Sequence, residues 1–189
     1  MSPNLAVDCL SLGDPTQTAT GAKIAPFFVN EGPAEFRLPL LQCAFEPSAF
    51  KEPTATRCNM IFKVPCHLES DLGEIDEWIL SKVAQDSVKY FGKAKTREQL
   101  VEIYTPCLKK SERWGSQFKT KMNLPGSAGA VRVWGADRQA RSPPEAWTNC
   151  CVEPRVRFKH LYFFGNQFGP VIDLTDARIV AEPQNECPF

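Results

Sequence analysis

Histidine is scarce: only His67 and His160 occur in 189 residues. That leaves little material for imidazole catalysis, and no Ser/His/Asp arrangement can be placed on the chain. Cys-x-x-Cys is absent, and none of the eight cysteines has zinc-finger spacing, so they read as small, reduced, mostly buried side chains. There is no phosphate-binding glycine loop and no Gly-x-Gly-x-x-Gly; Gly126 and Gly129, inside Pro-Gly-Ser-Ala-Gly, mark a turn. No apolar run approaches the ~20 residues a membrane-spanning helix needs. The first positive side chain is Lys23, with no apolar segment before it, so no secretory leader is expected. The expectation is a soluble intracellular protein with no membrane association, no cofactor and no metal. Net charge is missing too, because 22 Lys and Arg balance 22 Asp and Glu.

The balance hides a pattern. Residues 1–88 carry 6 basic against 12 acidic side chains, residues 89–159 carry 15 against 6, and residues 160–189 carry 1 against 4. A basic middle between acidic ends points to a local anionic partner. The 16 prolines sit mainly in connections, which suits short strands joined by irregular loops.

The clearest strand signal runs from Glu153 to Val180. Val156, Phe158, His160 and Tyr162 alternate with Arg155, Arg157 and Lys159, and a β-branched run follows the Gly165–Gly169 turn region. This predicts a long antiparallel hairpin with one face on a core and the other basic. Arg57–Pro65 predicts a strand with Met60, Phe62 and Val64 inward. Ile24–Val29 and Glu35–Phe45 predict two earlier strands. Asp71 with Glu74 predicts a capped helix to about Phe91, carried by Leu72, Ile75, Ile79 and Val83 with Trp78 on its flank. Thr96 with Gln99 starts a second, short helix that stops before Pro106. Residues 105–115 read as a loop. Ser116–Asn123 predicts a strand with Phe118, Thr120 and Met122 on one face. Ala130–Trp134 predicts another with Val131 and Val133 inward, and residues 135–149 read as a mobile loop.

On this pattern three strands present basic outer faces, carrying Lys119 and Lys121; Arg132; and Arg155, Arg157 and Lys159, with no acidic residue at those outward positions. Trp134 joins them, and nearby loops add Arg113, Trp114, Arg138, Arg141 and Trp147. Cations neutralise phosphates and release counterions. Exposed rings stack on bases at ~1–3 kcal/mol each, whatever the sequence. Cations with interleaved aromatics therefore suit a single nucleic-acid strand. The competing reading is a structural or assembly protein, such as a virion component or replisome adaptor, that uses the same strands for protein contacts. A nuclease would need acidic residues clustered near the basic face, and an enzyme is not expected.

The order of elements resembles the replicative single-stranded DNA-binding proteins of short-tailed phages and of some large DNA viruses of eukaryotes. The resemblance runs from about Glu35 to Val180. It is carried by the strand Asn59–Pro65 feeding the helix Asp71–Phe91, by Phe-Lys-Thr-Lys-Met in the strand Gln117–Asn123, and by the final hairpin with its Leu-Thr-Asp-Ala-Arg-Ile. It implies a mainly β fold, an OB-fold-like antiparallel barrel with a helix inserted between the third and fourth strands, spanning residues 26–180. An extended arm, residues 1–25, and a short tail, residues 181–189, would flank it. It implies sequence-independent binding of single-stranded DNA in replication, recombination or repair, without catalysis; RNA binding and a homodimer stay open. In that family an acidic tail ending in an aromatic residue occupies the DNA groove and recruits polymerase. Phe189 matches the aromatic as a contact for replication proteins, but the tail here holds only Glu182 and Glu186.

Overall fold

Alternating apolar residues put more of this chain into strands than into helices. The computed structural model describes residues 7–49 and 55–183. A 3-10 turn (Val7–Cys9) precedes β1 (Leu10–Leu12), β2 (Thr16–Gln17), β3 (Lys23–Val29), β4 (Gly32–Arg37), β5 (Leu41–Cys43) and β6 (Arg57–Lys63). Three helices follow, α1 (Cys66–Gln85), α2 (Ser87–Phe91) and α3 (Arg97–Ile103). The chain then returns to strands in β7 (Leu108–Ser111), β8 (Gly115–Asn123), β9 (Arg132–Trp134), β10 (Cys151–Phe164) and β11 (Gln167–Ala181).

Five strands close on themselves in the order β10–β5–β6–β8–β11–β10, a barrel of the OB type. The seam is the parallel contact between β8 and β11, where Lys121 faces Asp173. β4 and β5 are two halves of one bent strand, since both pair with β10 on either side of Leu38–Leu40. Pro39 sits in that bend, where it removes no ladder hydrogen bond. The helical segment follows the third long strand of the chain, although only the last two of those three contribute to the closed ring. Residues 7–25, within the segment expected as an arm, include β1 and β2, which pair with β3, and Leu10 is buried. Glu186 and Phe189 lie outside the described residues.

The β10–β11 hairpin forms as the alternation predicts, but with a bulge that changes one face. The register slips between Phe158 and His160, leaving Lys159 unpaired with β11. One extra residue flips every side chain after it. Val152, Pro154, Val156 and Phe158 point inward before the bulge, and Leu161 and Phe163 after it. His160 and Tyr162, expected in the core, therefore turn to the outer face and are only half-buried. Bulges of this kind let a long strand curve around a small barrel.

The main helix starts five residues earlier than its sequence signal. Pro65, with extended backbone, is the N-cap, and no side chain caps the helix. The earlier start docks Leu68, fully buried, in line with Leu72, Ile75, Ile79 and Val83, so packing outweighs the Asp71 and Glu74 pair. Trp78 lies over Phe27 at 6.4 Å. The helix breaks at Asp86, whose backbone is non-helical, before α2 reaches Phe91. The Thr96–Gln99 capping box on α3 is present in both directions. Residues 105–115, expected as a loop, contain β7, paired with β8 through Leu108↔Phe118 to Ser111↔Gly115. Residues 135–149 hold a hydrogen-bonded turn, with Gly135 N–H donating to Gln139 and Arg141 N–H to Val133.

Gly169 is a close-approach position. A Cβ there would stand 2.6 Å from the Thr105 carbonyl oxygen, and Thr105 N–H donates to Phe168 at 2.8 Å. Gly169→Ala should cost about 1–3 kcal/mol through this overpacking. Urea unfolding of the variant beside the wild type measures it, and an unchanged midpoint would contradict the contact.

The seven described cysteines are free thiols. Cys43 is pushed up to about 12 by burial, with Cys150 and Cys151 adding to the effect, so it is an unreactive core side chain. Among the described residues no helix is long and apolar enough to cross a membrane, and no group of His, Cys, Asp and Glu is placed to hold a metal.

Candidate nucleic-acid interface

The outer face of the β10–β11 hairpin gathers the charged side chains. On β10, Glu153, Arg155 and Arg157 point outward; on β11, Asp173, Asp176 and Arg178 do. Pairing across the ladder aligns Arg157 with Asp173 and Arg155 with Asp176, and β4 brings Arg37 beside Arg155 and Glu35 beside Arg157. β9 adds Arg132 next to Asp176 and Trp134 next to Arg178.

At one end of this face is a cleft of about 470 Å³. Five arginines line it, Arg37, Arg132, Arg138, Arg155 and Arg178, against two carboxylates, Glu153 and Asp176. Trp134, Leu38 and Pro154 supply its apolar surface. Asp176 organises the wall: one oxygen accepts from Arg132 at 2.8 Å and the other from the Trp134 indole N–H at 3.0 Å. Burial works against the Asp176 charge, but the bonds from Arg132 and Trp134 outweigh it and hold the carboxyl below its ordinary value. Arg178 donates to Glu153 at 3.0 Å and to the Ala136 carbonyl at 3.4 Å, tying the 135–141 turn to the sheet. Arg138, on that turn, has a left-handed backbone (φ 64°), a conformation that non-glycine residues adopt at a cost. Among the described residues Arg37, Arg138 and Arg155 have no carboxylate partner.

Further along lies a second hollow, of about 330 Å³, reached from Lys119 and Lys121 on β8 and from Tyr162 on β10. Between the two hollows sits an ion cluster. Asp173 pairs with Arg57 and, at 3.6 Å, with Lys159, while Arg157 Nε donates to Glu35 at 2.8 Å. His160 flanks the cluster. Burial, then the charge of Lys159, holds its imidazole below the ordinary value.

The residues singled out in the sequence thus divide into groups. Arg132, Trp134, Arg138 and Arg155 meet in the cleft; Lys119 and Lys121 meet in the second hollow; Arg157 and Lys159 lie between. Arg113 and Trp114 line neither. Trp114 is half exposed on the β7–β8 turn, edge-on to Phe45 at 5.3 Å, with the Arg113 guanidinium 4.8 Å from its ring centre. Arg141 lines neither hollow and is ion-paired with Glu182. Trp147 is a correction: it is 5% exposed, and Glu46 accepts its backbone N–H at 3.1 Å, so it cannot stack on a base. The expectation of a face without acids is also corrected. Glu153 on β10, Asp173 and Asp176 on β11, and Glu35 brought in from β4 interleave with the cations. Arg37, Arg57 and Arg178 join these cations, and their only sequence signal is an outward position on a strand.

Neither a protein-family profile nor a curated protein sequence matches the chain. Solved structures do. The single-stranded DNA-binding protein of bacteriophage Enc34, in complex with single-stranded DNA, superposes with a TM-score of 0.55 and 10% identity, over 90% of this chain and 96% of that one. The same phage protein without DNA gives 0.54 and 13%, over 95% and 96%. The single-stranded DNA-binding protein gp2.5 of bacteriophage T7 gives 0.43 and 14%, over 80% and 90%. The chain therefore shares, over nearly its whole length, the fold of the phage Enc34 single-stranded DNA-binding protein.

Proposed function

We propose that this protein binds single-stranded DNA without reading its sequence, as a non-catalytic partner of replication, recombination or repair. The observation that carries the reading is the cleft whose lining five arginines share with Trp134, on the outer face of a closed five-stranded barrel. Guanidinium groups there suit phosphates, and an accessible indole suits an unstacked base. A duplex keeps its bases stacked inside and offers the indole nothing to stack on. The fold shared with the phage protein supports the same reading.

Titration of tryptophan fluorescence with oligothymidylate tests it. Base stacking on Trp134 should quench emission, and Trp134→Phe should remove most of the quench. The variant should weaken binding by up to about tenfold, inside the ~1–3 kcal/mol range of a stacked base. Affinity should fall steeply as salt rises, by about 0.7 log units per log unit of salt for each phosphate held. A protein that shows neither quench nor salt dependence does not bind single strands in this cleft.

A further inference from the structure

We propose that the hollow beside Lys119 and Lys121 is a second nucleotide station on the same strand path as the arginine cleft. It would take one base against Tyr162, Pro106 and Pro170 and the adjoining phosphate on the two lysines. This rests on the single-strand reading above and adds to it where the strand goes next.

Charge is the first support. The cleft mixes arginines with carboxylates, whereas the second hollow has two lysines and no carboxylate in its lining. Lys119 has no ion pair among the described residues. Lys121 is part-buried and gives its hydrogen bond to a neutral acceptor, the Asn59 side-chain oxygen, at 2.7 Å. Asp173, which faces Lys121 across the seam, is already held by Arg57 and Lys159, so this partly desolvated cation is relieved by an incoming anion.

Shape is the second. Tyr162 is on the outer face because of the Lys159 bulge, and its hydroxyl is 3.2 Å from the Thr105 hydroxyl, which fixes the ring. On the β11 side the residue paired with Tyr162 is Gly169, so no side chain covers the ring from that strand and the missing Cβ is what admits Thr105, while Ile24 of β3 flanks the ring on its other side. Pro106 and Pro170 complete an apolar lining of a size that suits a base.

Register is the third. Tyr162 and Arg155 both lie on the outer face of β10, seven residues apart by sequence number, or about 20 Å along a strand. That spans about six stacked nucleotides at ~3.4 Å each, fewer if the strand is stretched. It falls within the ~4–16 nucleotides typical of one OB fold. The strand between would pass the Arg57–Asp173–Lys159 cluster.

The test uses the full chain carrying Lys119→Gln and Lys121→Gln, which keeps a donor for Asn59, with dT4 and dT12 followed by tryptophan quench. For dT12, affinity should fall about tenfold and the salt slope by about 0.7, for the one phosphate the two lysines hold. For dT4, which the arginine cleft holds alone, affinity should change less than twofold. Tyr162→Ala should reproduce the length-dependent loss and Tyr162→Phe should not. Equal weakening of both oligonucleotides, or of neither, overturns the second station. A wild-type protein that binds neither overturns the single-strand reading itself.

Discussion

Arg37→Ala combined with Arg155→Ala should lower affinity for oligothymidylate by about a hundredfold or more, because each charge-assisted contact is worth ~1.5–3 kcal/mol. These two face each other across the β4–β10 ladder and line the cleft without a carboxylate partner among the described residues. They can take phosphates without first giving up an ion pair, which Arg132 and Arg178 cannot. The salt slope should fall by about 1.4 for the two lost phosphates. Separating two like charges that sit side by side should leave the melting temperature unchanged or slightly raised. Asp176→Asn should move binding the other way: Arg132 is released, while the amide oxygen still accepts from the Trp134 indole, and affinity should rise several-fold. Anisotropy titrations of both variants check this. If neither moves, the strand does not run through the cleft.

Asp76→Ala should be the most damaging single change to the fold. Its carboxylate is buried on α1 and accepts from the Tyr104 hydroxyl at 2.6 Å, the Cys107 N–H at 2.8 Å and the Leu108 N–H at 3.2 Å. Three donors of the α3–β7 connection would lose their acceptor together. Each unsatisfied buried donor costs ~1–3 kcal/mol, partly recovered by relaxation, so the total should be about 3 kcal/mol. For a chain of this size that lowers the melting temperature by about 6–12 °C. Burial holds the Tyr104 phenol well above its ordinary value, so the hydroxyl remains a donor throughout the working pH range. Burial likewise raises the Asp76 carboxyl, and the three bonds only partly oppose it. A carboxyl raised in the folded state binds more protons there than in the unfolded chain. Its contribution to stability is therefore full below the ordinary value of 3.8 and declines as pH rises through the raised folded value. Denaturant unfolding from pH 3.5 to 7 should show the gap between wild type and Asp76→Asn narrowing as pH rises. A gap that widens would mean the ionised form is the one the fold prefers. The same bonds anchor Thr105–Cys107, which wall the second hollow. Asp76→Ala should thus also weaken long oligonucleotides more than short ones.

The loss of Trp147 from the set of stacking residues and the gain of Arg37 illustrate one limit of sequence patterns. Aromatic and basic side chains are marked by type, but exposure depends on what covers them. Trp147 is covered because Glu46, 101 residues away, accepts its backbone N–H and draws the segment onto the barrel. The sequence likewise placed Lys119, Lys121, Arg155 and Arg157 outward on their strands, and they are outward. It could not show that Lys119 and Lys121 belong to a different hollow from Arg155.

By itself the amino-acid order determined the strand faces, the Thr96 cap, the long final hairpin and the concentration of cations in the middle of the chain. These depend on neighbours within a few residues, where the periods of two and 3.6 operate. Tertiary structure decided the rest. The Lys159 bulge turned Tyr162 outward because a long strand must bend to close a small ring. Ion pairing decided which arginines are free, and the partners lie far off: Arg157 meets Glu35 across 122 residues and Arg57 meets Asp173 across 116. Side chains that far apart meet only when the ring closes, so local periodicity carries no trace of which cation a carboxylate will hold.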